Sequence, residues 1–269
     1  MTPPLYRRAV VAAAILVPAL ACPAGIIVHY GADAGGTNTN PLNGLAASAS
    51  FSVDGPTLTI VVTNTSTGVP GGAEVSDSLL VSLGFNLGDG ISIVSGNSAV
   101  IGAASIGLGA WAGLGPGDSV ADQWLWTNDG GGDLLESFSQ VISTSMGQGG
   151  GDTFSFDGTA DPNVGGPFGG IAAAPPIINV PGSQRAVSNS IEYRLTLSAV
   201  LSQSQLLQIA GSSIVEFGSD YQYLAVPAPG SLTLLLVAGV ATRLRRRRPV
   251  RSRSLRGPAG RRATRRSCS

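Results

Sequence analysis

The chain has 269 residues, of which 43% are hydrophobic and only 12% charged, with one histidine, two cysteines and no lysine. That balance excludes a charged disordered polymer and a basic nucleic-acid-binding domain, and it supports one sizeable buried core. The net charge of zero conceals a polarised layout: all 16 acids lie between Asp33 and Asp220, and 12 of the 16 arginines lie from Arg243 onward.

Residues 1–24 carry the features of an export signal. Arg7 and Arg8 form a short basic start, Ala9–Ala21 is apolar, and Ala19-Leu20-Ala21 offers small residues for cleavage after Ala21, with Ala24 an equal alternative. Cys22 sits at this boundary and Cys268 in the tail, so the region between them can form no disulfide, thiolate metal site or cysteine nucleophile. Residues 25–45 are expected to be a polar lead-in, rich in Gly, Thr and Asn.

From Ala47 the hydropathy alternates with a period of two. Ala47, Ala49, Phe51 and Val53 alternate with serines, Asp54-Gly55-Pro56 turns the chain, and Leu58, Ile60 and Val62 alternate with threonines. This predicts a β-hairpin. Leu79, Val81, Leu83, Phe85 and Leu87 predict a further strand with Ser78, Ser82 and Asn86 on its outer face. Ile91 and Ile93, Trp124 and Trp126, Phe138 to Ile142, and Phe154 with Phe156 mark shorter strands. The stretch 101–117 is Gly- and Ala-rich, and the Pro- and Gly-rich stretch from Asp157 to Gly182 predicts a long irregular connection. Alternation returns from Ile191 to Leu201. Ser202 is placed to cap a short helix through Leu206, Leu207 and Ile209, with Gly211 as its stop. Residues 46–225 are thus expected to fold as one all-β extracellular domain, an antiparallel sandwich or jelly-roll-like body with one short helix.

Candidate chemistry in this domain is sparse. His29 is the sole candidate base for a nucleophile triad, and it lies in the lead-in. Asp122, Asp129, Asp133 and Glu136 cluster near Trp124 and Trp126, which keeps an envelope hydrolase as one alternative function. Asn128, Asp129 and Asp133 offer oxygen ligands that suit calcium, although their spacing is not that of a calcium loop. Trp111, Trp124 and Trp126 could stack on sugars, which makes a carbohydrate-binding surface module the other alternative, with core packing as their competing role. No catalytic residue, cofactor or resident metal is assigned, and the chain is not expected to be an enzyme.

After the domain, Val226-Pro227-Ala228-Pro229-Gly230 precedes an apolar run of ten residues, Leu232–Ala241, and then Arg243, Arg245, Arg246, Arg247 and Arg248. Proline stops a strand, the leucines favour lipid, and cytoplasmic flanks carry the excess of arginine. Residues 226–248 in this order resemble the PEP-CTERM sorting signal of bacterial surface proteins processed by exosortases. Three departures stand out. Ala228 replaces the family's common Glu, the apolar stretch reaches 17 residues only if counted from Val226 to Thr242, and 21 residues follow Arg248.

The resemblance implies a membrane helix, held transiently through residues 232–242, and an exosortase-like enzyme as a partner beside the export machinery. It makes Val226, Pro227, Ala228, Pro229, Gly230 and Arg245 to Arg248 the sorting-signal residues. The function it implies is that of an exported cell-surface or matrix-associated structural protein, with extracellular polysaccharide a further candidate partner. Residues 249–269 form a basic tail without aromatic interleaving, so nucleic acid is not expected as its partner. Between the two basic ends, residues 25–226 hold two arginines against all 16 acids, a net charge of −14, which fits both ends inside and the middle outside.

Overall fold

The computed structural model describes residues 25–36, 44–68, 76–130, 133–144, 153–157, 169–176, 179–218 and 222–227. The expected signal peptide, the sorting-signal residues from Ala228 onward and the basic tail lie outside the described residues. All described residues belong to one unit ending at Pro227. Among them, no helix is long and apolar enough to cross a membrane.

The described residues open with β1 (Ile26–Tyr30), turn at Gly31 and continue as β2 (Ala32–Gly35). Two strands therefore stand where a polar lead-in was expected. Ile26, Val28 and Tyr30 share one side of β1 and pack on the main core, whereas Ile27 and His29 are exposed. The predicted hairpin forms from β3 (Ala47–Asp54) and β4 (Thr57–Asn64), in register from Ala47 opposite Asn64 to Asp54 opposite Thr57. Gly55 takes a φ of +56° at the first loop position and Pro56 holds the second at negative φ, the pattern of a II′ turn.

A 3-10 turn (Ser76–Ser78) leads into β5 (Leu80–Phe85), followed by β6 (Ile93–Ile101) and β7 (Gly107–Gly109). Next come β8 (Leu125–Thr127), a 3-10 turn (Asp133–Ser137), β9 (Gln140–Ser143) and β10 (Thr153–Ser155). Within the expected irregular connection lies β11 (Ile171–Ala172), fully buried, and after it β12 (Arg185–Ser188) and β13 (Ser190–Leu197).

The helix α1 (Gln203–Ser212) starts at the predicted cap. Ser202 N–H donates to Gln205 Oε1 at 2.9 Å and Ser202 Oγ accepts from Gln205 N at 3.3 Å, a reciprocal capping box. It runs through Gly211 and stops where Ser213 turns extended and β14 (Ile214–Phe217) begins; β15 (Gln222–Ala225) closes the fold.

The strands form two sheets. One has five strands in the order β1-β3-β4-β13-β6. The other has ten: β10-β8-β9-β5-β11-β12-β7 along one path, with β14 on β5, β15 on β14, and β2 on β15. Every pairing between these strands is antiparallel except β11 with β12. The architecture is all-β and sandwich-like with a single helix among the described residues, as the alternating hydropathy predicts.

Phe51, Ile60, Tyr193 and Leu195 from the smaller sheet meet Leu83, Phe85, Trp124, Trp126, Val215 and Phe217 in one hydrophobic cluster. Trp124 meets Tyr193 edge-on with ring centroids 5.1 Å apart.

β5 departs from its expected half-exposure. All six of its residues are buried. Leu83 and Phe85 face the main core, and Gly84 lies beneath Leu135 and Phe138, so close that an added Cβ would come within 2.9 Å of Leu135 Cδ2. A strand in the middle of a sheet covered on both faces has no outer face to leave polar.

Candidate functional site

The described part of the expected sorting box stands at the end of β15. That strand is paired on one edge with β14 (Leu224 opposite Val215) and on the other with β2 (Leu224 opposite Asp33). Ala225 O accepts from Gly31 N–H at 3.2 Å. Val226 is half-buried and packs on the main core, while Pro227 is exposed. Proline offers no N–H to a neighbouring strand, so the ladder ends where the box begins. Ala228, Pro229, Gly230 and Arg245 to Arg248 lie outside the described residues.

Asp33 fastens β2 to β15. Its Oδ1 accepts from Gln222 Nε2 at 2.5 Å and from Gly35 N–H at 3.0 Å, and Gln222 Nε2 also reaches Gly35 O at 3.2 Å.

The tryptophans do not form a surface platform. Trp111, Trp124 and Trp126 are 9%, 1% and 4% exposed and belong to the main core, which overturns a sugar-binding surface built on them. Trp126 lies on β8, Trp124 just before it and Trp111 in the turn after β7, and all three pack into the core, where burying a large ring gains more than exposing it. Phe154 stacks on Trp126 at 4.7 Å and keeps part of its ring exposed at the edge strand β10.

The acids near the tryptophans have separate local roles. Asp122 pairs with Arg185 at 3.5 Å, both of them largely solvent-accessible, a setting in which an ion pair contributes little. Asp129 and Glu136 are exposed, and Asp133 starts the 3-10 turn. Asn128 is committed to the backbone: its Oδ1 accepts from Ile93 N–H at 2.8 Å and its Nδ2 donates to Ile93 O at 2.9 Å. Its amide thereby acts as one more strand partner for β6 and holds the two sheets together. Among the described residues no three His, Cys, Asp or Glu side chains are grouped so as to hold a metal ion. His29 is exposed on β1 opposite Ser48.

Sequence reasoning misses one buried polar row. Ser143, Ser82, Glu216 and Tyr223 lie side by side on β9, β5, β14 and β15, each 5% exposed or less. Ser82 Oγ donates to Glu216 Oε2 at 2.5 Å, Tyr223 OH donates to Glu216 Oε1 at 3.2 Å, and the Ser82 and Ser143 hydroxyls lie 2.7 Å apart. Hydroxyl donors of this kind offset part of the cost of burying a carboxylate. No local spacing reveals the row, because its members come from four strands that only the sheet brings together.

Two tyrosines are also tuned by burial. The Tyr193 hydroxyl has no hydrogen-bond partner among the described residues, and desolvation raises its pKa well above the ordinary tyrosine value. Tyr30 is raised by burial too, an effect opposed by its 2.7 Å bond to Ser213 Oγ.

No family model, curated protein or solved structure matches the chain.

Two surface recesses lie away from the box. The larger, about 620 Å³, is lined by Ile106, Leu108, Leu114, Pro176, Asn179 and Val180 with intervening small residues, none of the described lining residues being titratable. The smaller, about 320 Å³, lies between Asn86 to Asp89 and the first turns of α1 at Gln205 and Gln208, with Asp89 the only acid among its described lining residues. Neither presents a paired acid and base.

Proposed function

We propose that this is an exported surface protein whose C-terminal segment is a sorting signal, processed by an exosortase-like enzyme in the cytoplasmic membrane. The observation that carries the proposal is the order of residues 226–248: a proline-bounded box, an apolar run and an arginine cluster, directly behind a domain with a net charge of −14. Arginines hold their side of a membrane in the cytoplasm, and an acidic domain without lysine is free to cross.

The apolar stretch is shorter than the ~20 residues of a stable span, so it suits a brief stop in the membrane rather than permanent packing. The body is a structural β-sandwich carried to the envelope, with a hydroxyl-rich outer face: Ser48, Ser50 and Ser52 on β3 and Thr57, Thr59 and Thr63 on β4 are all half-exposed. Such a face suits a hydrated layer of extracellular polysaccharide. The described domain has no cysteine and is held by its packed core, as a protein leaving the cytoplasm without disulfides must be.

Mass spectrometry of the mature protein tests both ends at once. The expected N-terminus follows Ala21 or Ala24, and the expected C-terminus lies within residues 226–230. Recovery of the intact chain from the cytosol, with residues 231–269 still attached, would overturn the proposal.

A further inference from the structure

β1 and β2 form one edge bent at Gly31, and β15 covers only its second half. The direction of each backbone group on β1 follows from the β3–β4 hairpin. Thr65 N–H donates to Ala46 O at 2.9 Å, just beyond the paired ends of β3 and β4. Backbone groups along a strand point alternately to its two sides. Ala47, Ala49 and Phe51 therefore turn theirs away from β4 and towards β1, where their partners are Tyr30, Val28 and Ile26. The N–H and C=O groups of Ile27 and His29 face outward. Gly31 continues that alternation, and its N–H donates to Ala225 O at 3.2 Å. No described strand pairs with the outer edge of β1.

Strand edges in soluble β proteins are commonly blunted by charge, proline or a bulge. β1 carries none of these: it reads Ile-Ile-Val-His-Tyr and pairs with β3 without a register shift. At the opposite edge of the same sheet, β6 is engaged by the Asn128 amide at Ile93 and by Ser119, which bridges to Val100. On β1, Ile27 is 65% exposed, the highest value among the described large hydrophobics. The inward-facing Ile26 and Val28 pack on the core yet are only half-buried.

We infer that β1 is a pairing edge for β1 of a second copy of this chain, joined antiparallel about a two-fold axis at Val28. The register is self-complementary. Ile27 of each copy exchanges both backbone bonds with His29 of the other, and Val28 meets Val28 on the core side. On the outer face Ile27 gains His29 of the other copy directly opposite and the other Ile27 as a diagonal neighbour. The two five-stranded sheets become one continuous sheet. Charge permits the approach: residues 25–226 carry −14, but neither β1 nor the adjoining Ser48 and Ser50 of β3 places an acid at the join. The pairing is independent of the sorting signal.

Disulfide trapping in the full-length chain, with Cys22 and Cys268 changed to Ser, tests the pairing. Facing residues of a non-bonded antiparallel pair have Cα atoms ~4.5 Å apart, a separation that a disulfide spans. An interface this small is weak, so oxidation is carried out at about 50 μM protein. Val28→Cys is expected to give mostly covalent dimer on a non-reducing gel. Val94→Cys, on β6 at the sheet's opposite edge, should give roughly fivefold less or below. Adding Ile27→Lys to Val28→Cys brings like charges together across the join and should lower the dimer by about the same factor. Ile27 is exposed, so the Lys variant should melt with the natural chain.

No dimer from a folded Val28→Cys chain overturns the pairing, as does an undiminished dimer with Ile27→Lys. Equal dimer from Val94→Cys also overturns it, and is the result that association through the apolar run 232–241 would give. If a melt shows that Val28→Cys does not fold, light scattering of the natural chain against Ile27→Lys decides. A dimer mass that falls to the monomer in the variant supports the pairing, and the same mass in both overturns it.

Discussion

Asn64 Nδ2 donates to the carbonyl of Ile171, 107 residues further along the chain, at 2.7 Å. Its second amide hydrogen reaches Ser78 O at 3.1 Å, and its Oδ1 accepts from Ser66 N–H at 3.0 Å. The side chain is 2% exposed and stands at the end of β4, so one amide ties the smaller sheet to β11 and the entry to β5. Asn64→Leu keeps the volume and removes all three bonds, leaving two buried carbonyls and one N–H short of a partner. The expected loss is about 2–4 kcal/mol in urea denaturation. A loss below about 0.5 kcal/mol would show that the amide is replaceable by packing.

Gly96 makes the two sheets fit. A Cβ there would lie 2.6 Å from Trp126 Nε1 and 2.8 Å from Phe156 Cδ1. Both rings are buried and cannot step aside without disturbing Tyr193, whose ring centroid is 5.6 Å from that of Phe156. Gly96→Ala is therefore expected to cost about 1–3 kcal/mol by overpacking and to alter tryptophan emission. Gly182→Ala is the matched control: nothing lies within 4 Å of a Cβ there, and a melting temperature near that of the natural protein is expected.

These two residues show what the sequence does and does not disclose. The hairpin of β3 and β4 was legible because period-two alternation and a Gly-Pro turn are local signals. The cap at Ser202 was legible for the same reason. Asn64 reads as the polar end of a strand, and Gly96 as one glycine among many, because their partners lie far off in the chain. β5 read as half-exposed, since Ser82 suggests solvent until Glu216 is found beside it. β1 and β2 went unseen because a short inward set, Ile26, Val28 and Tyr30, adjoins residues that look like a processing site. The order of residues 226–248 is local and readable; the join of β15 to β2 through Asp33 and Gln222 exists only in the sheet.

Tyr193 offers a test through pH. Its hydroxyl is buried without a partner among the described residues, and Tyr193→Phe removes only that oxygen. The change is expected to be neutral or stabilising, by up to about 1 kcal/mol, since an unbonded buried polar group carries a desolvation cost. In the unfolded chain a tyrosine ionises near pH ~10, whereas burial keeps the protons of Tyr193 and Tyr30 on the folded protein. Above that pH the folded state therefore holds more protons than the unfolded state. Its stability falls as pH rises, after being insensitive to both groups below about 9. Denaturation followed from pH 8 to 11.5 should show this decline, and Tyr193→Phe should make it shallower. An identical slope in the variant would mean that the hydroxyl ionises equally readily in both states.

The proposed sorting signal can be tested apart from the fold by substitution. Pro227 is exposed, and Pro229 lies outside the described residues; replacing both with Ala should leave the melting temperature within about 1 °C. What should change is processing: a membrane-bound form that keeps residues 231–269 is expected to accumulate, visible as a heavier band in the membrane fraction. Under the proposed function, converting Arg245, Arg246, Arg247 and Arg248 to Glu removes the basic flank, and should weaken membrane retention by at least severalfold. The two substitutions act on different steps. The proline variant stays in the membrane uncut, whereas the arginine variant slips through it uncut. If both were processed at the natural rate, neither the box nor the cluster would be a signal, and the likeness of residues 226–248 to one would be an accident of composition.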